Sequence, residues 1–556
     1  MARSPETRAF GIDAGGTFTD FAYLDGGELR VLKVPSTPHD PSEAVLRGLE
    51  RAGGVAARDH VIHGTTVALN ALLTGNGARV ALVTNEGFRD LIEIGRQERP
   101  DIYALVPERA APLVPRELRF EVPQRSWPAA GARRGEGRLE LEEVRAPTSS
   151  ELERLARRVR AARPEAIAIC LLSSFADPGI ERRVADALAP LGVPITLSAE
   201  LLAEHREVER FSTAIVNAAL QPLVARYLDS LARGTGARLS ILQSSGGTMD
   251  AARAAREPAR ILFSGPAGGV VAAARAAREA GLDAFCGLDM GGTSTDVSFH
   301  DPAAAARGSA HSVDPVRVAG QIVSVPSLDL HTIGCGGGSV VRIDAAGVLH
   351  VGPESAGADP GPIATGGGPE PTVTDAHVLL GHLAGGRFLG GELELDVDGV
   401  RRAFEDLGKR LGTTAERAAM GVLEVARAAM RRAIGVMTLQ RGGDPERISL
   451  VAFGGAGGLH AADLAANLRM VAALVPRHPG VLSAIGMVCA EPSRDLVRSA
   501  LVPLEAWKRS QRRRVFAELA REGRASLREG GVAARSIRVE NTLDLRYRGQ
   551  SFEIQI

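Results

Sequence analysis

Residues 9–25, AFGIDAGGTFTDFAYLD, decide how this chain is read, because residues 285–301, FCGLDMGGTSTDVSFHD, repeat them. Each copy runs apolar strand, Asp, one residue, two glycines, Thr, one residue, Thr, Asp and a second strand. Paired glycines remove the side chains that would keep a phosphate from the backbone, so successive N–H groups can point at its oxygens. Thr17 and Thr19 in the first copy, and Thr293 and Thr295 in the second, add hydroxyl donors. Asp13 and Asp289 end their strands as hard oxygen ligands of the kind Mg²⁺ takes, directly or through water. One copy alone leaves open a tight hairpin whose Asp caps the turn. Two copies at domain spacing read as phosphate loops, Gly15-Gly16 and Gly291-Gly292, gripping one ligand from both sides of a cleft. The pattern lacks the G-K-[ST] of a Walker A loop, and no G-x-G-x-x-G opens a helix here.

Outward from these loops the chain alternates strand and helix. Residues 8–35 predict three strands with a hairpin turn at Asp25-Gly26-Gly27. Helical patterns follow at 41–52 and 64–74, a buried strand at 79–84, and a loop-rich stretch at 96–148 ending in AAGARRGEGRLE. A helix at 149–162, a strand at 166–172 and a helix at 178–189 continue the α/β alternation. The next segment predicts a long helix at 207–233, a strand at 238–243 and a helix at 266–280. Beyond 300 the chain is rich in Gly and Pro to 371, then helical at 398–441. A third glycine cluster, Gly454-Gly455-Ala456-Gly457-Gly458 with His460, follows an apolar strand and leads into a helix at 461–469. A base and ribose could pack on that bare backbone, with the helix N-terminus adding favourable polarity. His460 either touches the ligand or caps the helix. The last stretch, 537–556, predicts strand, turn and strand.

The whole-chain numbers exclude several classes. At 556 residues one core is too few, and two to four domains are expected. Lys+Arg and Asp+Glu are both 66, so no net charge recommends nucleic acid or an anionic membrane as partner. The N-terminus carries no apolar signal segment and no later run approaches the length of a membrane span, so a soluble, cytoplasmic protein is expected. Cys170, Cys286, Cys335 and Cys489 are scattered without a C-x-x-C pair. Cys335, inside TIGCGGGS, is the single cysteine whose setting suggests chemistry.

The two loops, with SGPAGGV at 264–270 and AFGGAGGLHA at 452–461, resemble the ATPase core shared by actin, sugar kinases and heat-shock chaperones. More narrowly they resemble the hydantoinase A/5-oxoprolinase family. HGTTVALNALL (63–73), ALVTNEGFRDLIEIGRQ (81–97), QSSGGTMD (243–250), LHTIGCGGGSV (330–340), GPESAGADPGP (352–362), TVTDAH (372–377) and HPGVLSAIGM (478–487) carry the same likeness. It covers residue 8 to the end of the chain. The resemblance implies an α/β fold of duplicated actin-like (ribonuclease H-like) domains with a nucleotide cleft between them. Its expected divisions are 8–192, 193–495 and a partial β-containing terminal domain at 496–556, since family members continue past R-G-Q-S-F-E. It implies ATP with Mg²⁺ at Asp13 and Asp289, and contacts from Ser264, Gly265, Gly454, Gly455, Ala456 and His460 to the nucleotide.

The family's chemistry is ATP-dependent activation of a carbonyl or amide oxygen. The substrate implied is a cyclic amide of the 5-oxoproline or hydantoin type, or a ketone in the carboxylase branch. A hydantoinase B-type partner subunit and an oligomeric assembly are implied as well. A nucleotide-gated regulatory module is the alternative of another class. On the substrate side, Asp329 and His331 form an Asp-x-His pair, a type used for metal binding or proton transfer. With Asp375 they are candidates for a second divalent metal, and Asp359 and His377 lie near them in sequence. His63 and Arg96 are expected to line the cleft, and Asp90 and Glu93 to be surface charges. One departure is Gly458, where the family's G-P-L-H-A has Pro.

Overall fold

The computed structural model describes residues 7–556 apart from 38, 100, 107–109, 130–138, 303–314, 384–386, 389–392 and 440. Most of the low-complexity run expected as an exposed connection lies outside the described residues.

The first copy of the repeat folds as strands Ala9–Ala14 and Phe18–Asp25 in an antiparallel pair, with Glu28–Pro35 antiparallel on the far side. His60–Thr65 joins the other edge of the first strand in parallel, and Arg238–Leu242 follows it, also parallel. Thr248–Asp250 closes this six-stranded sheet. The second copy does the same. Phe285–Met290 pairs antiparallel with Thr295–His300, Leu330–Ile333 lies beyond it, and Ser449–Phe453 then Ala473–Leu474 add in parallel on the other side. The order third, second, first, fourth, fifth strand, with two antiparallel and two parallel joins, is therefore common to both sheets. This is the duplicated actin-like ATPase architecture that the family resemblance implies.

A four-stranded parallel sheet is inserted in the first half: Ile195–Leu197, Ala166–Cys170, Val80–Asn85 and Arg119–Val122. Its two central strands, Ala166–Cys170 and Val80–Asn85, are buried along their whole length because helices cover both faces, as the separate cores on either side show. Since Arg238–Leu242 and Thr248–Asp250 complete the first sheet, that lobe runs past the expected division at residue 192.

The two halves meet through a pair of crossing helices, Ser264–Glu279 and Leu482–Cys489. Their backbones touch: a Cβ on Gly486 would stand 1.8 Å from the Gly268 carbonyl oxygen. The second helix also lies on the first strand, where a Cβ on Gly11 would stand 2.0 Å from the Ala484 carbonyl oxygen. Glycine is required at these positions by space.

Most predicted elements appear within a residue or two, and the departures are local. The helical stretch expected at 398–441 is two helices, Val397–Leu411 and Ala415–Leu439, because Gly412 takes a left-handed φ of 66° and turns the chain. In the last segment only Asp544–Leu545 and Ile554–Gln555 pair, and a helix at Arg509–Glu529 precedes them. Among the described residues, no helix is long and apolar enough to cross a membrane.

Candidate functional site

The glycine loops take the same form in both halves. Gly15 N donates to Phe18 O at 3.1 Å and Gly291 N to Ser294 O at 3.0 Å, so each loop is one tight turn at the end of its hairpin. The burial sequence is identical from Asp13 to Asp20 and from Asp289 to Asp296. In each, the second glycine and the following threonine are exposed while the second threonine is buried. A Cβ built on Gly16 or on Gly292 meets nothing within 4 Å, so both tips present bare backbone to open space. That is the shape an anion needs to reach the N–H groups.

The hairpin register adds two carboxylates that the sequence reading passed over. Asp13 stands opposite Asp20, and Asp289 opposite Asp296, so each loop carries a cross-strand carboxylate pair on one face. The signal was available, since the motif's last residue is Asp in both copies. Burial is the main reason Asp13 is pushed up to about 7, with the negative charge of Asp20 adding to it and Lys33 and Ser483 opposing. Asp289 is pushed up to about 8 by burial, then by Asp296, Asp13 and Asp20, with Lys33 opposing. The two loops are thus close enough for the charges of one half to act on the other. Asp20 and Asp296 are raised as well, both chiefly by burial. Oδ1 of Asp13 is buried without a hydrogen-bond partner. Each crowded, poorly solvated pair offers hard oxygens of the kind Mg²⁺ takes, two carboxylates at a time, with phosphate oxygens or water needed to complete the shell.

The loops differ in their support. Behind the first, Ser36 donates from Oγ to Gly15 O at 2.7 Å and from its N–H to Thr17 O at 3.0 Å. Behind the second lies the TIGCGGGS cluster: Gly337 N donates to Gly291 O at 3.0 Å and Gly338 N to Gly292 O at 2.6 Å. A Cβ on Gly336 would stand 2.6 Å from Gly292 O, which is why this cluster is glycine.

Several expected site residues have other work. Thr19 is buried with its hydroxyl 3.0 Å from that of Ser36, and the Thr295 hydroxyl donates to the Cys335 carbonyl. Thr17 and Thr293 are therefore the hydroxyls left at the loop tips. Ser264 donates to Thr65 O and accepts from Thr65 N, both at 3.0 Å, pinning its helix to the strand end. Gly265 borders the site, since a Cβ there would be 3.1 Å from Asp13 Oδ1. Gly454, with φ of +81°, borders Asp289 in the same way, its Cβ direction ending 2.4 Å from Asp289 Oδ1. Gly455 faces open space. His460 is fully buried with Nε2 3.2 Å from Nε2 of His377, whose Nδ1 is 2.9 Å from Nδ1 of His382. It braces the third glycine cluster from behind.

The expected second metal set is not assembled. Asp375 caps its helix, accepting from the Ile363, Ala364 and Thr372 N–H groups and the Thr372 hydroxyl. Asp329 pairs with Arg441 at 2.6 Å. His331 is opposite Val297 in the sheet, on the face away from Thr332 and the carboxylates. Among the described residues no group of three or more His, Cys, Asp or Glu could hold a metal ion. His63 is a core residue bonded to Tyr227 Oη at 2.7 Å and Ile12 O at 3.1 Å, and Arg96 forms a two-pronged pair with Glu209. Cys335 is buried and its thiol is pushed up to about 11 by that burial, far from an active thiolate.

Two family models match the chain, the hydantoinase/oxoprolinase N-terminal region at residues 9–192 and hydantoinase/oxoprolinase at 210–496. The chain belongs to the hydantoinase/oxoprolinase family. The family member caprolactamase subunit alpha of Pseudomonas jessenii is 33% identical over the whole chain and 81% of its own length. The crystal structure of ATP-dependent caprolactamase from that organism superposes with a TM-score of 0.82 over 99% of this chain and 80% of that one, at 32% identity. Nucleotide-free acetone carboxylase gives 0.74 over 99% and 80%, at 26% identity. 5-Oxoprolinase 1 of Arabidopsis thaliana is 35% identical over 98% of this chain and 46% of its own length.

Proposed function

We propose that this family member binds ATP with Mg²⁺ between its two loops and phosphorylates the amide oxygen of a cyclic amide, priming the ring for opening. The observation that carries the reading is the matched pair of loops, each with an open glycine tip beside a half-buried carboxylate pair. The likeness to caprolactamase and 5-oxoprolinase supports the cyclic-amide class.

In this reading the N–H groups at Gly15-Gly16 and Gly291-Gly292 and the hydroxyls of Thr17 and Thr293 hold the β- and γ-phosphates from opposite sides. Carboxylates of the Asp13/Asp20 and Asp289/Asp296 pairs face the cleft from its two sides, and one pair together with nucleotide phosphate oxygens would hold the divalent ion, which when bound neutralises charge on the transferring phosphoryl group. The bond from the γ-phosphorus to ADP breaks as the amide oxygen bonds to phosphorus, and ADP leaves with the electron pair. The amide becomes an O-phosphorylated imidate whose carbon water can attack. Addition of water there and opening of the C–N bond, the nitrogen taking the proton, leave a ring-opened acyl phosphate, and a second water hydrolyses it to the carboxylate and inorganic phosphate. The chain's own share is positioning and charge balance, and a B-type partner subunit is proposed to complete the hydrolytic half. The third glycine cluster supplies bare backbone at Gly455 for the adenosine.

The test is ATP turnover with 5-oxoproline, hydantoins, caprolactam or acetone with bicarbonate, with and without the B-type partner. Stimulation by a cyclic amide is expected. Stimulation by the ketone alone would move the chain to the carboxylase branch, a reading supported by the acetone carboxylase superposition. Asp13→Ala and Asp289→Ala should each lower turnover by about 10²–10³-fold or more.

A further inference from the structure

Although the two sheets repeat each other, their carboxylate pairs are not electrically equivalent. Register places Asp13, Asp20 and Lys33 in line across three strands of the first half. The same line in the second half is Asp289, Asp296 and Thr332. Lys33 forms an ion pair with Asp20, whereas Thr332 donates its hydroxyl to Asp296. Among the described residues no Lys or Arg is ion-paired with Asp13, Asp289 or Asp296, so Lys33 is the cation built into the quartet.

Lys33 is also held in place. Its ammonium donates to Gly480 O at 3.3 Å and lies 5.1 Å from the centre of the Phe18 ring. Gly480 belongs to a strap whose preceding residue, Pro479, accepts from Gly454 N at 3.0 Å, and whose Ser483 lies near enough to Asp13 to oppose its rise. His478 opens that strap with φ of 125°, a conformation a non-glycine residue rarely holds. One short segment therefore ties the third glycine cluster to Lys33 and to the first carboxylate pair.

Resting on the ATP reading above, we infer that Lys33 is the charge-setting residue of the cleft: it neutralises the Asp13/Asp20 pair from within and directs the single divalent cation to Asp289 and Asp296. The second pair has no cation in direct contact, Lys33 acting on Asp289 only from across the cleft, and a neutral hydroxyl beside it, so it draws the stronger benefit from a metal. Thr332 is exposed, and a longer side chain has room there.

The test is Mn²⁺ binding followed by electron paramagnetic resonance in the presence of a non-hydrolysable ATP analogue, with circular dichroism and thermal melting as fold controls. The unaltered chain should take up one Mn²⁺. Thr332→Lys should weaken that binding at least tenfold, and Lys33→Thr should admit a second ion at the first pair. The near-isosteric Asp296→Asn and Asp20→Asn serve if either of those variants is misfolded: the first should weaken Mn²⁺ at least tenfold and the second less than threefold. Equal losses from the two Asn variants, or a Thr332→Lys protein that folds and binds as the parent does, would overturn the assignment while leaving the ATP reading intact. An unaltered chain that takes up no Mn²⁺-nucleotide would overturn the ATP reading, and the Lys33 assignment with it.

Discussion

Asp13→Asn should make the metal-free protein more stable at alkaline pH while removing its turnover. Asp13 moves from an ordinary value of 3.8 to about 7, chiefly by burial and then by Asp20. The folded state therefore holds this proton more tightly than the unfolded state does. The associated stability is fully present below about pH 4, falls as pH rises, and is gone above about pH 7. A displacement of this size corresponds to at most about 4 kcal/mol at pH 8. Asp13 keeps some access to solvent, so a gain of about 2 kcal/mol is the working expectation. Asparagine preserves the shape and cannot ionise. Urea unfolding of the parent and the variant in chelator, at about pH 5 and about pH 8, checks this. The variant should gain at pH 8 and gain less than half as much at pH 5. A variant no more stable than the parent at pH 8, or equally displaced at both pH values, would refute the idea that charge crowding at the carboxylate pairs destabilises the fold.

Three further outcomes follow from the geometry. Gly486→Ala places a methyl 1.8 Å from the Gly268 carbonyl, backbone against backbone, and should destabilise by about 3 kcal/mol or more in denaturant unfolding. Less than about 1 kcal/mol would mean the helix crossing is loose. Thr17→Val should lower ATP turnover without moving the melting temperature, whereas Thr19→Val, which removes the bond of the buried Thr19 hydroxyl to Ser36, should destabilise by about 1 kcal/mol. The reverse pattern would exchange the roles of the two threonines. His377 and His460 are held down to about 3 and about 4, mainly by burial, so both are neutral when folded. Unfolded, each takes a proton near 6.5, so stability should fall as pH drops below about 6.5 and level off near 3–4. His460→Gln, which keeps a hydrogen-bonding group for His377 but cannot titrate, should flatten that acid arm by up to about 3 kcal/mol. An unchanged arm would show that these histidines are not what acid attacks.

The pair of halves also shows how a duplicated scaffold becomes directional. Strand order, loop form and burial were retained in both copies, whereas the residue at the third strand and the backing of each loop diverged. Lys33 and Ser36 serve the first half, and Thr332 with the Gly336–Gly338 backbone serves the second. A symmetric cleft would treat its two carboxylate pairs alike, but a phosphoryl donor has a nucleoside end and a phosphate end. The third glycine cluster, which adjoins Asp289 through Gly454, lies on the second side only.

The sequence by itself determined the duplicated α/β architecture, the two glycine loops with Asp13 and Asp289, and the family. Those features are local: a strand, a turn that needs glycine and a strand are written in consecutive residues, and repetition makes them legible. The tertiary structure alone decided which side chains face the site. Lys33 and Thr332 reach it through strand register, and Ser483 through a helix from the far end of the chain. Ser264, Thr19, His63, His460 and Asp375 were drawn away by partners distant in sequence or by a cap that consumes the whole carboxylate. A hydrogen-bonding residue in a glycine-rich motif looks the same on paper whether it holds a ligand or a neighbouring backbone. Only packing, by burying one hydroxyl at Thr19 and leaving another exposed at Thr17, separates the two.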